Sequence, residues 1–159
     1  MNIVIRAVLP LRALLVLLFA ILVVFQTMSL PGQFAHMAAE HPESAHLRWP
    51  LTAVTVFWVL CIQVVIVATW RLLGMVVADR IFTVASLKWV DVILGAIVAA
   101  WLVLAGVFLV VGFTADDPGL PLLLLLMVTI IAVAALLMVV MRALLRQATG
   151  LRTDMDAVI

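Results

Sequence analysis

The sequence predicts an all-α fold, an integral membrane bundle of four transmembrane helices forming one domain over residues 1–159. Two observations carry this. The chain is 69% hydrophobic and 11% charged, with a mean hydropathy of +1.42. Soluble domains run at roughly 45–50% apolar and about 25% charged, and a chain of 159 residues lacks the interior to hide that excess. The apolar residues also gather into four runs, each near the roughly 20 residues that one helical crossing needs. A soluble enzyme, a nucleic-acid binder and a disordered regulator are disfavoured together. A separate soluble domain is not expected within these residues.

The first span covers about residues 9–28, around an unbroken apolar core from Ala13 to Phe25. The second covers about 51–70, with a helix able to continue to Val77. The third is about 89–113, with Thr83 placed to cap its helix, and the fourth is about 121–141. None shows the alternation of a membrane β-strand, so the spans are helices. Ser29 to Pro50 and Thr114 to Leu120 hold the turn formers, among them Pro31, Gly32, Pro42, Asp116, Asp117, Pro118 and Gly119, and are expected to be loops. Pro121 suits the first turn of helix four, where a missing N–H costs nothing.

Charge sets the expected orientation. Arg6, Arg12, Arg71, Arg80, Lys88, Arg142, Arg146 and Arg152 fall on one side of a four-span threading, eight of the nine basic residues. Arg48 alone falls on the other, beside Glu40, Glu43, Asp116 and Asp117. The positive-inside rule therefore places both termini and the central 70–88 loop in the cytoplasm, in a cell (inner) membrane. The first run is too long for a typical signal-peptide core and lacks an Ala-x-Ala cleavage site, so it is expected to stay.

Chemistry inside the bilayer is sparse. Arg12 lies near a helix end and can snorkel. Asp91 sits one turn inside helix three, with Lys88 three residues before it and the Arg71/Arg80 loop nearby, and is expected to form an interfacial salt bridge. Gln63 is the deepest polar side chain and suits an interhelical hydrogen bond. Cys61, the only cysteine, excludes an internal disulfide, and no span holds a histidine for haem or zinc. Gly95, Ala99 and Gly106 share a face of helix three and are expected to pack within the bundle, with homodimerisation as a lesser option. His36, His41 and His46 lie near Glu40 and Glu43, but five-residue steps turn about 140° on a helix, so one face cannot present all three. Trp49, Trp70 and Trp89 fall at span boundaries as interfacial anchors, whereas Trp58 and Trp101 lie deeper as filling. No metal, cofactor or catalytic residue is expected, and an enzyme has no nucleophile–base pair here.

The tail, residues 142–159, is amphipathic: Leu144, Ala148, Leu151, Met155 and Ile159 form a stripe, with Arg142, Arg146 and Arg152 off it. Gly150 is expected to weaken or kink the helix. The tail either lies along anionic headgroups or docks in a groove of a cytoplasmic partner. The segments Asp79-Arg-Ile-Phe-Thr-Val-Ala-Ser-Leu-Lys-Trp-Val-Asp91 and Leu151-Arg-Thr-Asp-Met-Asp-Ala-Val-Ile159 resemble the two signatures of a bacterial domain-of-unknown-function family. Its members are small four-helix membrane proteins, typified by the Bacillus protein YoaS. The Leu30–His36 and Ala115–Pro121 loops resemble its actinobacterial branch. The family has no established activity. Its genes often neighbour a small helix-turn-helix regulator, which implies a membrane partner for that DNA-binding protein. The function expected is a membrane anchor or sensor that binds this regulator, without contacting nucleic acid itself. The residues expected to bind it are Arg80, Ile81 and Phe82 in the central loop and Leu151, Met155, Asp156 and Ile159 in the tail. The alternative is a small oligomeric transporter or channel, for which Gln63, Cys61 and Thr129 make a meagre polar lining.

Overall fold

A computed structural model describes residues 2–158, and the side chains of residues 7–43 and 45–158. Among the described residues the chain is helical and contains no strand. Four helical stretches are long and apolar enough to cross a membrane: Ala7–Glu40, Ala45–Val77, Val84–Thr114 and Gly119–Val158. The all-α, four-span class read from composition holds. The contacts divide the chain into two compact units, Met1–Trp70 and Arg71–Ile159.

In the first unit, α1 (Asn2–Val24) continues through a five-residue π-helical turn (Phe25–Ser29) into α2 (Leu30–Glu40). A short 3₁₀ segment (Pro42–Leu47) then leads into α3 (Arg48–Val77). The loop expected over residues 29–50 is therefore helical, broken at His41. Proline explains both features. Pro31 has no N–H, and its ring would strike the carbonyl four residues back in a regular helix. The wider turn just before it, with the Leu30 N–H reaching the Phe25 carbonyl, accommodates that ring without ending the helix. His41 precedes Pro42, whose ring drives the preceding residue out of the α region; its φ of −124° and ψ of 82° end α2 there.

The π turn also aims a side chain. Gln26 lies within it, and Gln63 Nε2 donates to Gln26 Oε1 at 3.1 Å. Gln63 is buried at 9% exposure among Val59, Ile66 and Ala68. The hydrogen bond expected of Gln63 is present, with a partner that helical periodicity did not single out. Replacing Gln63 with leucine leaves the Gln26 amide unmatched and should lower stability by about 1 kcal/mol, the usual size of such membrane contacts. Adding Gln26→Leu should recover most of that loss in detergent melting; equal losses that simply add would show that the pair is not coupled. Arg12, expected near a helix end, stands in the middle of α1 because that helix begins at Asn2, and it lays its guanidinium 5.1 Å from the centre of the Trp70 ring.

In the second unit, α4 (Val84–Thr114) packs along α5 (Gly119–Val158). Val90, Ile93 and Leu104 are buried here. Trp101 is tied rather than merely filling space: its indole N–H donates across to the Val128 carbonyl of α5 at 3.0 Å. The turn between them is short. Asp117 Oδ1 accepts the Gly119 N–H at 3.3 Å, and Pro121 stands in the first turn of α5 as expected. Within this unit the stripe of small residues is not the face on which α4 meets α5. Gly95 and Gly106 are exposed, and a Cβ built on either meets nothing within 4 Å. A two-helix unit of long side chains meets at other faces, and the glycines are left aside.

Helix α5 runs for 40 residues without interruption, straight through Gly150. The expected kink is absent because propensity at one glycine, about 1 kcal/mol, is small beside the tertiary contacts described below. The most apolar stretch of α5 has none of its residues buried in the protein. Each large apolar side chain left in water forfeits about 1.5–3 kcal/mol, so these faces belong against lipid.

Candidate functional site

The functional region is built where α3 turns into α4. The end of α3 closes as a Schellman motif: the Arg80 N–H reaches the Met75 carbonyl at 2.8 Å and the Asp79 N–H reaches Val76 at 3.1 Å. The motif requires a left-handed residue one past the cap, usually glycine. Here Asp79 takes it, with φ of 52°; aspartate tolerates that region better than most side chains. Its carboxylate is used in return. Arg152 Nη2 of α5 lies 3.5 Å from Asp79 Oδ2, and the same guanidinium stands 5.7 Å from the Phe82 ring centre.

Between these points the corner is held from within. Thr83 adopts the extended conformation of a helix cap, as expected, but its hydroxyl donates back to the Arg80 carbonyl at 2.8 Å rather than forward into α4. Ser86 is fully buried, and its hydroxyl faces the carbonyls of both Ile81 and Thr83. One small side chain thus closes the loop onto the first turn of α4.

A turn further along α4, Asp91 receives Arg142 of α5 through two contacts, Nε to Oδ1 and Nη2 to Oδ2, the latter 3.1 Å. A salt bridge at Asp91 was expected, but its partner is Arg142 and not Lys88 or the Arg71/Arg80 loop. Arg71 instead stacks 5.7 Å from the Trp89 ring, and Arg48 lies 5.4 Å from Trp49. With Arg12 on Trp70, each boundary tryptophan carries a guanidinium, an arrangement in which ring and cation share the apolar–polar border.

The tail is the end of α5, and two of the arginines expected to lie off its apolar stripe, Arg142 and Arg152, fix it. Arg142 and Arg152 hold it to α4 and to the corner, and Thr149 between them is buried at 7% exposure. The stripe consequently faces away. Leu144, Leu151 and Met155 are 55%, 62% and 67% exposed, and Asp156 is exposed beside them. Of the predicted partner-binding residues, Phe82 is brought to the tail through Arg152. Arg80 is exposed and Ile81 half-buried, with the Ile81 carbonyl committed to Ser86. Ile159 lies outside the described residues. Sequence reasoning missed Asp79, Ser86 and Arg152; the αL position just past a helix end was the available signal for Asp79.

The histidines do not converge. His36 pairs with Glu40 at 3.1 Å along one helix face, and the His46 ring meets the Glu43 carbonyl at 3.1 Å. Among the described residues no three histidine, cysteine or carboxylate side chains form a metal-binding group.

Four apolar helices, exposed apolar faces and arginine-bearing boundary tryptophans define a multi-pass membrane protein of the all-α class. The family model of a protein family of unknown function, DUF2975, matches residues 32–159, most of the chain, and the protein belongs to that family. No curated protein and no solved structure matches it.

Proposed function

We propose that the protein is a non-catalytic anchor or sensor in the bacterial inner membrane, with both termini cytoplasmic. Its partner is a small cytoplasmic regulator of the helix-turn-helix type, bound through the tail of α5 beside the 79–82 corner. The observation that carries this reading is the outward stripe on a fixed helix. At about 1.5 Å per residue, α5 is about 60 Å long against a hydrocarbon core of about 30 Å, so its second half stands clear of the bilayer. Leu144, Leu151 and Met155 lie within about 40° of one another around that helix. They form an apolar ridge on an element already ordered by Arg142 and Arg152, which lowers the entropy lost on docking. Asp156 supplies a charge at the ridge's end. The family resemblance, with its neighbouring regulator genes, points the same way. A transport reading has less support: the Gln63 amide is matched by Gln26 and the Thr129 hydroxyl by the Leu125 carbonyl, which leaves little polar lining.

Truncating central anchors of a helix-in-groove contact removes about 2 kcal/mol or more, about thirtyfold in affinity. Leu151→Ala with Met155→Ala should therefore abolish co-purification of the co-expressed regulator while leaving the membrane protein's yield unchanged. Undiminished co-purification sinks the proposal. Orientation is tested separately. In a Cys61→Ala background, an impermeant thiol reagent applied to intact cells should label Ser44→Cys and spare Thr153→Cys. Labelling of both positions, or of neither, overturns the threading.

A further inference from the structure

We propose that the groove between the first turns of α4 and the tail of α5 is a binding site for the headgroup of one anionic phospholipid. The groove has a volume of about 670 Å³, within the range of roughly 300–1,000 Å³ typical of small-molecule sites. Two cations from different helices line it, Lys88 of α4 and Arg146 of α5. Both are exposed, and among the described residues neither makes an ion pair or a hydrogen bond. The other charged groups of the groove are Asp91, Arg142 and Asp154. Asp91 and Arg142 neutralise each other, so Lys88 and Arg146 against Asp154 leave one unbalanced positive charge. A phosphodiester carries one negative charge, which matches.

The remaining lining selects a lipid over a soluble phosphate. Val84 and Leu87 form an apolar wall on α4, and Trp89, two residues beyond Leu87, holds the boundary position with Arg71 stacked on it. The site thus stands at the depth where phosphates of a bilayer lie, with an apolar wall that a glycerol backbone and acyl chain would cover. A free phosphate would leave that wall wet. A choline or ethanolamine headgroup would add a cation beside Lys88 and Arg146, so an uncharged alcohol on the phosphate is preferred. Basic pockets between membrane helices recognise acidic headgroups by this chemistry. The site uses neither Leu151 nor Met155 and stands or falls independently of the regulator.

The test is native mass spectrometry of the full chain in neutral detergent, with phosphatidylglycerol or phosphatidylcholine added at equal concentration. One phosphatidylglycerol should be retained in preference to phosphatidylcholine. Each cation near a headgroup contributes about fivefold, so Lys88→Gln with Arg146→Gln should weaken retention about thirtyfold. Arg146→Lys, which keeps the charge, should retain the lipid. Equal retention of the two lipids overturns the proposal, as does a double variant that still selects phosphatidylglycerol. Release of the lipid by millimolar glycerol 3-phosphate assigns the groove to a soluble phosphate and overturns it too. Should the double variant fail to fold, the comparison of lipids on the unmodified protein decides alone.

Discussion

Replacing Asp91 with arginine is expected to abolish accumulation of folded protein, and adding Arg142→Asp in the same chain is expected to restore most of it. Asp91 and Arg142 join α4 to α5 across 51 positions of sequence through a two-pronged contact. Such forked pairing fixes direction as well as distance. With the carboxylate reversed, two guanidinium groups face each other on packed helices at the edge of a low-dielectric region, where like charges are poorly screened. The same two helices are also joined by the Trp101 bond to Val128. The swapped pair returns opposite charges to the same two backbones, with altered side-chain lengths, so recovery should be substantial and incomplete. The measurement is the fraction of solubilised protein that elutes as a single species. An Asp91→Arg protein that matches the unmodified one would place the pair outside the forces that hold α4 to α5.

The second large effect is expected at Ser86. Leucine there has no space, since the serine is fully buried, and overpacking of this kind costs typically 1–3 kcal/mol. The hydroxyl facing Ile81 and Thr83 is lost as well, at about 1 kcal/mol for a typical hydrogen bond. Together these give about 3 kcal/mol for Ser86→Leu. Ser86→Ala removes only the hydroxyl and should lose about 1 kcal/mol, because the Ser86 N–H still serves the Thr83 carbonyl at 3.1 Å. Thermal unfolding of the two variants in detergent separates crowding from bonding. Equal effects of alanine and leucine would mean that the corner has room and that the hydroxyl alone matters.

These two residues show where sequence reading reaches and where it stops. The spans were legible because hydropathy is a property of composition along a window, and the bilayer imposes one length on all of them. Helix ends were less so. The stretch from Ser29 to Pro50 looks like a loop because proline and glycine are averaged as breakers. Their effect here is local: Pro31 is absorbed by a π turn, and only His41, set before Pro42, leaves the helix. The salt bridge of Asp91 was legible as a need for a cation, since an unpaired carboxylate near hydrocarbon is expensive. Its partner was not, because Lys88 is near in sequence while Arg142 is near only after α4 and α5 pack. Gly95 and Gly106 mark the converse: periodicity places them on one face, and nothing in periodicity says that another helix will use that face. Periodicity separates the tail stripe from its arginines but does not say which side packs. Its arginines turn the opposite side inward, so the apolar ridge becomes surface.

The unbroken passage of α5 through Gly150 gives the protein a lever. A hinge at that glycine would let the tail hang independently of the membrane, and any tilt of the transmembrane part would die out there. A continuous rod passes the tilt on. Taking the Arg142–Asp91 contact as fulcrum, Met155 lies about 20 Å along the arm at about 1.5 Å per residue. A tilt of about 10° in the bilayer therefore sweeps Met155 through about 3 Å, more than half the rise of a helical turn. Arg152, 3.5 Å from Asp79 and 5.7 Å from the Phe82 ring centre, lies on the same arm and would move with it. On the anchor-or-sensor reading proposed above, bilayer thickness and lateral pressure, which set helix tilt, are the inputs that would move this ridge.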